Sequence, residues 1–233
     1  VIIYFNNTMK TSHFLLRRAA RIVAALLLAG VCGLTGCLSR PALTRQTFTF
    51  DAPPMSATNA VAGGRVLGIR SLQIAAPFDS RAFVYRNGEF SYARDPYAGF
   101  LEPPAGELLA PVRGWLCDSG SFSAVTEAGS ALKPDALVEI SVSRLFGDFR
   151  QPEHPAAVLT MQFVFFDAPN GVPGRVILQQ DYSRRIPLDA PTAAALMDGW
   201  NQALAEILAA VSMDFRRAET GGPTQPKSFH SQN

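Results

Sequence analysis

Between Arg21 and Arg40 the chain carries no charged residue, and within that run stands Leu34-Thr35-Gly36-Cys37. Four cations, Lys10, Arg17, Arg18 and Arg21, precede the run, and no acid accompanies them. Basic, then apolar, then small is the order of an export leader. The strongly apolar part, Ile22–Val31, is ten residues long, about half of the ~20 residues that a spanning helix needs. Gly30, Gly33, Thr35 and Gly36 dilute the apolar character toward Cys37. Leu-Thr-Gly-Cys at this place has the form of a lipobox, cut between Gly36 and Cys37. Cys37 then becomes the first residue, with a diacylglycerol on its thiol and an acyl chain on its new amine. Stable anchoring takes two chains or more, each contributing about 0.8 kcal/mol per buried methylene. Val1–Thr8, upstream of Met9, and the leader are therefore set aside, and residues 1–36 are excluded from fold reasoning. Leu38 and Ser39 stand where an acidic residue would favour inner-membrane retention. The expected location is the outer membrane, facing the periplasm.

The same cut changes the charge. The whole chain has 21 Lys+Arg against 19 Asp+Glu; without the four leader cations it is 17 against 19, a net charge near −2. A chain with that balance and no basic cluster is not built for nucleic acid. Of three cysteines, Cys32 leaves with the leader and Cys37 takes the lipid, so Cys117 stands alone. No intramolecular disulfide is available, and Cys117, beside Trp115 and Leu116, reads as a buried structural thiol.

Residues 37–63 read as the acylated N-terminus and a tether rich in Pro, Ala, Thr and Ser, with a β-like run at Thr47–Phe50. Residues 64–216 form the folded domain and residues 217–233 a disordered tail. Within the domain, Arg65–Ile74 and Arg81–Arg86 are strands. Asn87-Gly88 is expected to turn the second into Glu89–Arg94 as a hairpin. Pro103-Pro104 opens a helix with Leu108, Leu109, Val112, Trp115 and Leu116 at helical spacing; Pro111 should kink or shorten it. Phe122–Val125 is a short strand. Ala136–Phe149, Ala156–Asp167 and Gly174–Ile186 read as a β-meander, the last two joined by a turn at Pro169-Asn170-Gly171. Asp189 or Thr192 can cap a final helix, whose stripe runs Leu196, Trp200, Ala203, Leu204, Ile207, Leu208, Val211, Phe215. The fold expected is a single α+β domain, a largely antiparallel sheet with two main helices packed on one face.

Chemistry is sparse. His13 is in the leader, His154 lies between prolines and His230 is near the end, so no pair has metal-ligand spacing. No phosphate-binding loop or nucleophile elbow is present. Glu102, Glu107, Asp118, Glu127 and Asp181 read as solvated acids. No enzyme activity, metal or cofactor is expected beyond the acyl groups on Cys37. Tyr85, Phe90, Tyr92, Tyr97 and Phe100 are the densest aromatic group. Ordinary strand packing explains it most simply; as an exposed surface, Tyr85, Tyr92, Tyr97 and Phe100 are the candidate contacts for a protein or lipid partner.

Arg81–Arg86, Tyr92–Pro104, Gly120–Val125 and the closing amphipathic helix together resemble the ABC-type transport auxiliary lipoproteins, those similar to paraquat-inducible protein C. The resemblance spans Arg65 to about Phe215. It implies an accessory role in lipid transport, with an MCE-domain protein, an ABC permease and its ATPase as partners, and the membrane held through the lipid anchor. It leaves room for a homo-oligomer. A structural or assembly lipoprotein of the outer membrane, without a transport role, is the alternative.

Overall fold

The structure, a computed structural model, describes residues 45–51, 64–127 and 129–221. The longest β-rich runs of the chain become the middle of one eight-stranded sheet. Its strands are β1 (Gln46–Phe48), β2 (Arg65–Ile74), β3 (Ala82–Arg86), β4 (Tyr92–Phe100), β5 (Phe122–Glu127), β6 (Ala136–Asp148), β7 (Ala156–Asp167) and β8 (Val176–Pro187). The order is β1-β4-β3-β6-β2-β5, and β7 then β8 continue from the other edge of β6. Two helices complete the domain, α1 (Pro104–Asp118) and α2 (Ala193–Glu219).

The α+β class and the β6–β7–β8 meander match the sequence reading, but the sheet is mixed rather than largely antiparallel. β6–β7, β7–β8 and β3–β4 are antiparallel, whereas β1–β4, β2–β5, β2–β6 and β3–β6 are parallel. The hairpins are local and set their own direction. The parallel ladders join strands far apart in sequence; the connections of β2–β5, β2–β6 and β3–β6 contain α1, and that of β1–β4 contains β2 and β3.

Side-chain alternation decides which face is covered. Ala157, Leu159, Met161, Phe163 and Phe165 of β7 are all fully buried. Phe165 lies 4.7 Å from Phe215, ring centre to ring centre, and Ala157 lies under Gly199 of α2. The eight-residue stripe foreseen on α2 is buried throughout, each side chain contributing about 1.5–3 kcal/mol. Thr192 is the cap, its Oγ1 accepting the Ala195 N–H at 3.2 Å, and the helix continues through Glu219. The other face of the sheet is mixed, with polar pairs beside Val158, Val164 and Phe166 of β7. Thr160 and Ser183 are hydrogen-bonded at 2.9 Å, Gln162 donates to Asp181 at 3.0 Å, and Arg70 pairs with Glu139 at 2.6 Å.

α1 departs from its reading in three ways. It runs unbroken through Pro111. The missing N–H removes one helical bond, but Leu108, Val112, Trp115 and Leu116 remain on the core side and hold the helix to β2 and β5. Glu107, read as a solvated acid, is buried and accepts from Thr49 Oγ1 at 2.6 Å and from the Glu102 N–H at 2.8 Å. It thereby covers an open donor ahead of the helix and ties in the segment after β1. Cys117, read as buried, is exposed, because α1 turns the face carrying Arg113, Gly114 and Cys117 outward.

Candidate functional site

The sheet has two distinct ends, set by strand direction. Arg86 is level with Asp148 at the close of β6, and Ala156 opens β7 opposite Pro187 at the close of β8. The β3–β4 connection therefore projects from the end where β6 and β8 finish and α2 starts. β1 enters the sheet travelling away from that end, since it runs parallel to β4 with Gln46 opposite Ala98. At the far end lie the start of β6, the turn before β8 and the last turn of α2. There Arg65 binds Asp167 at 2.7 Å and Glu219 at 2.9 Å.

The hairpin turn differs from the one expected. Five residues, Asn87–Ser91, join β3 to β4, closed by the Asn87 N–H donating to Ser91 O at 3.0 Å. A two-residue Asn-Gly turn needs positive φ at both positions, and neither Asn87 nor Gly88 has it. Asn170 and Gly171 do, at φ 60° and 79°, and they turn β7 into β8. Glu89 and Phe90, read as strand, are thus loop residues, and the Phe90 ring is 89% exposed.

The four aromatic candidates separate. Phe100 is 2% exposed, stacked on Phe50 and against Phe83, so it is a core residue and no contact surface. Tyr85 is half-buried against Phe149, and its hydroxyl donates to Asp95. Burial and that bond push its ionisation above the ordinary tyrosine value. Tyr92 and Tyr97 are 48% and 49% exposed. Tyr92 rests edge-on against Phe146 at 5.6 Å with the Arg86 guanidinium over its ring at 5.8 Å, a cation–π contact. Tyr97 follows a tight loop in which Asp95 Oδ1 accepts the N–H groups of Tyr97 and Ala98 at 2.7 and 3.1 Å. The exposed group is therefore Phe90, Tyr92 and Tyr97. Sequence reasoning grouped Phe90 with its neighbours, but as a strand residue. Cys37 and Gly36, the expected lipidation and cleavage residues, lie outside the described residues.

Arginines accompany these rings. Among the described residues, Arg65, Arg70, Arg113, Arg150, Arg175, Arg184, Arg185 and Arg217 have acidic partners. Arg86 and Arg94 of the hairpin form no ion pair there, nor do Arg45, Arg81 and Arg144 beside it. Arg86 instead donates to the carbonyls of Gly88 and Glu89.

Asp148 fixes the base of this end. Its carboxylate is 3% exposed and takes two bonds from Arg150, at 3.0 and 2.9 Å, and one from Arg185 of β8, at 2.6 Å. The Arg150 hydrogen bond is the largest influence; it outweighs desolvation, Arg185 adds to it, and the carboxyl is held down to about 2. A depressed acid contributes stability above its unfolded value near 3.9 and loses it as pH falls through the folded one. Because both arginines are largely solvated, Asp148→Asn is expected to cost about 1–2 kcal/mol at about pH 7. The gap between variant and wild type should close as pH falls from about 4 to about 2. Urea titrations of both proteins across that window measure it; a gap independent of pH would mean the carboxylate is not the stabilising group.

A second feature is a cleft of about 740 Å³ between residues 47–51 and the first half of α2, lined by Thr49, Asp51, Asp198, Asn201 and Glu206 among others. Across it the Asp51 N–H donates to Asn201 Oδ1 at 3.0 Å. No group of His, Cys, Asp or Glu with metal-ligand geometry occurs among the described residues, nor does any helix long and apolar enough to cross a membrane.

No family model and no curated protein matches this chain. Solved structures do. A Xanthomonas campestris protein described under the family model DUF330 aligns over 76% of this chain and 98% of its own, with TM-score 0.62 and 21% identity. A protein described only as uncharacterized aligns over 73% and 98%, with TM-score 0.58 and 13% identity. At such identities the likeness is one of fold. The PelC dodecamer of Paraburkholderia phytofirmans aligns at TM-score 0.38 and 13% identity, over 70% of this chain and 96% of its own, too distant to bear on assembly. Neither of the first two is described as a transporter accessory, which corrects the resemblance to ABC-type transport auxiliary lipoproteins and removes the ground for MCE, permease and ATPase partners. The stretch that carried it, Arg81–Arg86 and Tyr92–Pro104, is β3, β4 and the opening of α1. Phe83 and Phe100 there are conscripted by the core, each against Trp200, so their pattern reports packing rather than a partner.

Proposed function

We propose that this chain is a lipid-anchored protein of the bacterial envelope, acylated on Cys37, whose domain docks other envelope components at the periplasmic face of the outer membrane. The observation that carries the reading is the order of Lys10–Arg21, Ile22–Val31 and Leu34-Thr35-Gly36-Cys37. Leu38-Ser39 supports the outer membrane. The absence of any spaced ligand set or triad in the sequence supports a docking role over a catalytic one. The exposed hairpin aromatics supply a surface for contact.

The test tracks the acyl chains. In cells fed an alkyne-bearing palmitate, the wild-type chain is expected to carry label and to sediment with the outer membrane on a density gradient. Cys37→Ala should carry none and appear as the unprocessed precursor. An unlabelled wild-type chain, or equal labelling of Cys37→Ala, would sink the anchor. Crosslinking the lipidated protein and identifying its partners by mass spectrometry tests the docking role; barrel or cell-wall proteins are the expected catch.

A further inference from the structure

We infer that the β3–β4 hairpin end is a bilayer-contact surface, with Phe90, Tyr92 and Tyr97 at the headgroup level of the membrane that holds Cys37 and with Arg86 and Arg94 on its phosphates. The inference rests on acylation of Cys37 and adds to it an orientation of the domain.

Covalent reach comes first. Eight residue steps separate Cys37 from Arg45, so the anchored cysteine lies no farther than about 29 Å from Arg45. Direction comes second. Thr47 is level with Gly99 and Gly99 with Ala82, and the hairpin runs on from Ala82 to Arg86 against the direction in which β1 enters. Those four steps carry the hairpin about 13 Å back past β1 on the side from which the chain arrives, and Phe90 lies beyond them. Anchoring Cys37 within that reach allows the tip, on the side from which β1 enters, to meet the bilayer.

Chemistry comes third. Amphipathic tyrosines gather at membrane–water interfaces, and a fully exposed phenylalanine at a loop tip has no role in the core. Arg86 and Arg94 of the hairpin have no acidic partner among the described residues, whereas Arg65 and Arg70 of β2 and Arg184 and Arg185 of β8 are ion-paired. Asp79 and Glu89, with Glu153 of the β6–β7 loop and Asp189 after β8, are exposed acids that oppose them, and Asp95 is occupied by Tyr85 and the Tyr97 and Ala98 N–H groups. Weak contact suffices, because a tethered surface acts at high effective concentration.

The same end argues against a peptide occupant. β1 covers only Ala98–Phe100, so the outer edge of β4 from Tyr92 to Tyr97 has no neighbour among the described residues. A partner strand would add there. Pro96 has no N–H to offer and the Asp95 side chain has taken the next two, devices that block edge pairing.

The test uses the full chain, lipidated in cells and reconstituted into vesicles of phosphatidylethanolamine and phosphatidylglycerol with acyl chains brominated near the headgroup. Trp115 and Trp200 are buried, so a new indole reports its own surroundings. The emission that Phe90→Trp adds over wild type should fall about twofold to the bromines and lie to the blue, as for a side chain buried to interfacial depth. Leu132→Trp is the control: Leu132 is 57% exposed and precedes β6, at the far end of the sheet. The emission it adds over wild type should be unquenched. Vesicles that float with the protein while both indoles are quenched equally, or neither, overturn the orientation and leave the anchor standing. Protein that fails to float overturns the anchor and the orientation together. Arg86→Glu with Arg94→Glu in the Phe90→Trp background should relieve at least half of the quenching; unchanged quenching would remove the arginines from the contact.

Discussion

Trp200→Ala is expected to destabilise the domain by about 3–5 kcal/mol, the range for deleting a large buried aromatic. The Trp200 ring has no solvent exposure. It stands perpendicular to Phe83 of β3 at 4.9 Å and tilted over Phe100 of β4 at 5.5 Å, so it joins α2 to the two strands of the hairpin. Its Nε1–H donates to Val158 O at 3.2 Å, on β7, and removing it leaves that carbonyl to be satisfied elsewhere, at about 1 kcal/mol. One side chain thus connects α2 to both sides of β6. For a domain of this size each kcal/mol moves Tm by about 2–4 °C, so a fall of roughly 10 °C or more is expected. Trp115→Phe is the internal comparison. Trp115 is also buried, but its Nε1–H has no partner among the described residues, so replacing it removes an unsatisfied donor together with some packing. It should cost about 1 kcal/mol or less. Urea titrations of the two variants decide the matter: equal losses would mean that Trp200 does not connect the layers in this way.

The contrast between these two tryptophans marks what was legible in the sequence. Both fall on apolar stripes, and periodicity alone puts both in the core. Which one has a carbonyl within reach depends on β7 lying under α2, a tertiary fact. The same limit governs the sheet. Runs of β-rich residues located the strands, and the short β7–β8 connection with its Asn170-Gly171 turn announced an antiparallel pair. Nothing local in Arg65–Ile74 says that it will lie parallel to Ala136–Val142, because that ladder depends on how the intervening hairpin, α1 and β5 are folded back. Asn87-Gly88 misled for a related reason: five residues were available to close the hairpin, and the longer loop left Asn87 and Gly88 in ordinary backbone conformations. The aromatic surface was half legible. Clustering in sequence drew attention to Tyr92 and Tyr97, but Phe100 faces the core because β4 loops out at Asp95 and changes which side chains point inward. Glu107 could have been found, since an acid in the first turn of a helix opened by prolines is a ready acceptor for unpaired N–H groups.

Gly99→Val is expected to cost about 3 kcal/mol, near the upper end for overpacking, and to act on the hairpin end before the rest of the domain. A Cβ at Gly99 would stand 2.3 Å from Arg81 O and 2.7 Å from Nη2 of Arg45. The arginine side chain can swing away; the carbonyl cannot, because it accepts the Phe100 N–H at 2.6 Å and closes β3 onto β4. Glycine is needed here for space, since Gly99 does not have positive φ. The strain falls between Thr47 of β1 and Ala82 of β3, both of which face Gly99. Relief comes most readily by parting β1 from β4, a three-residue ladder, with local opening rather than global unfolding. Hydrogen exchange should therefore accelerate in residues 46–48 and 82–86 by more than in β6 or β7. Phe50, Phe83 and Phe100 would lose their stacking and α2 would loosen at Trp200. Even acceleration across the whole sheet would mean that Gly99 serves global packing alone. Local acceleration would instead assign to Gly99 the fit of the hairpin against β1, the strand that borders it.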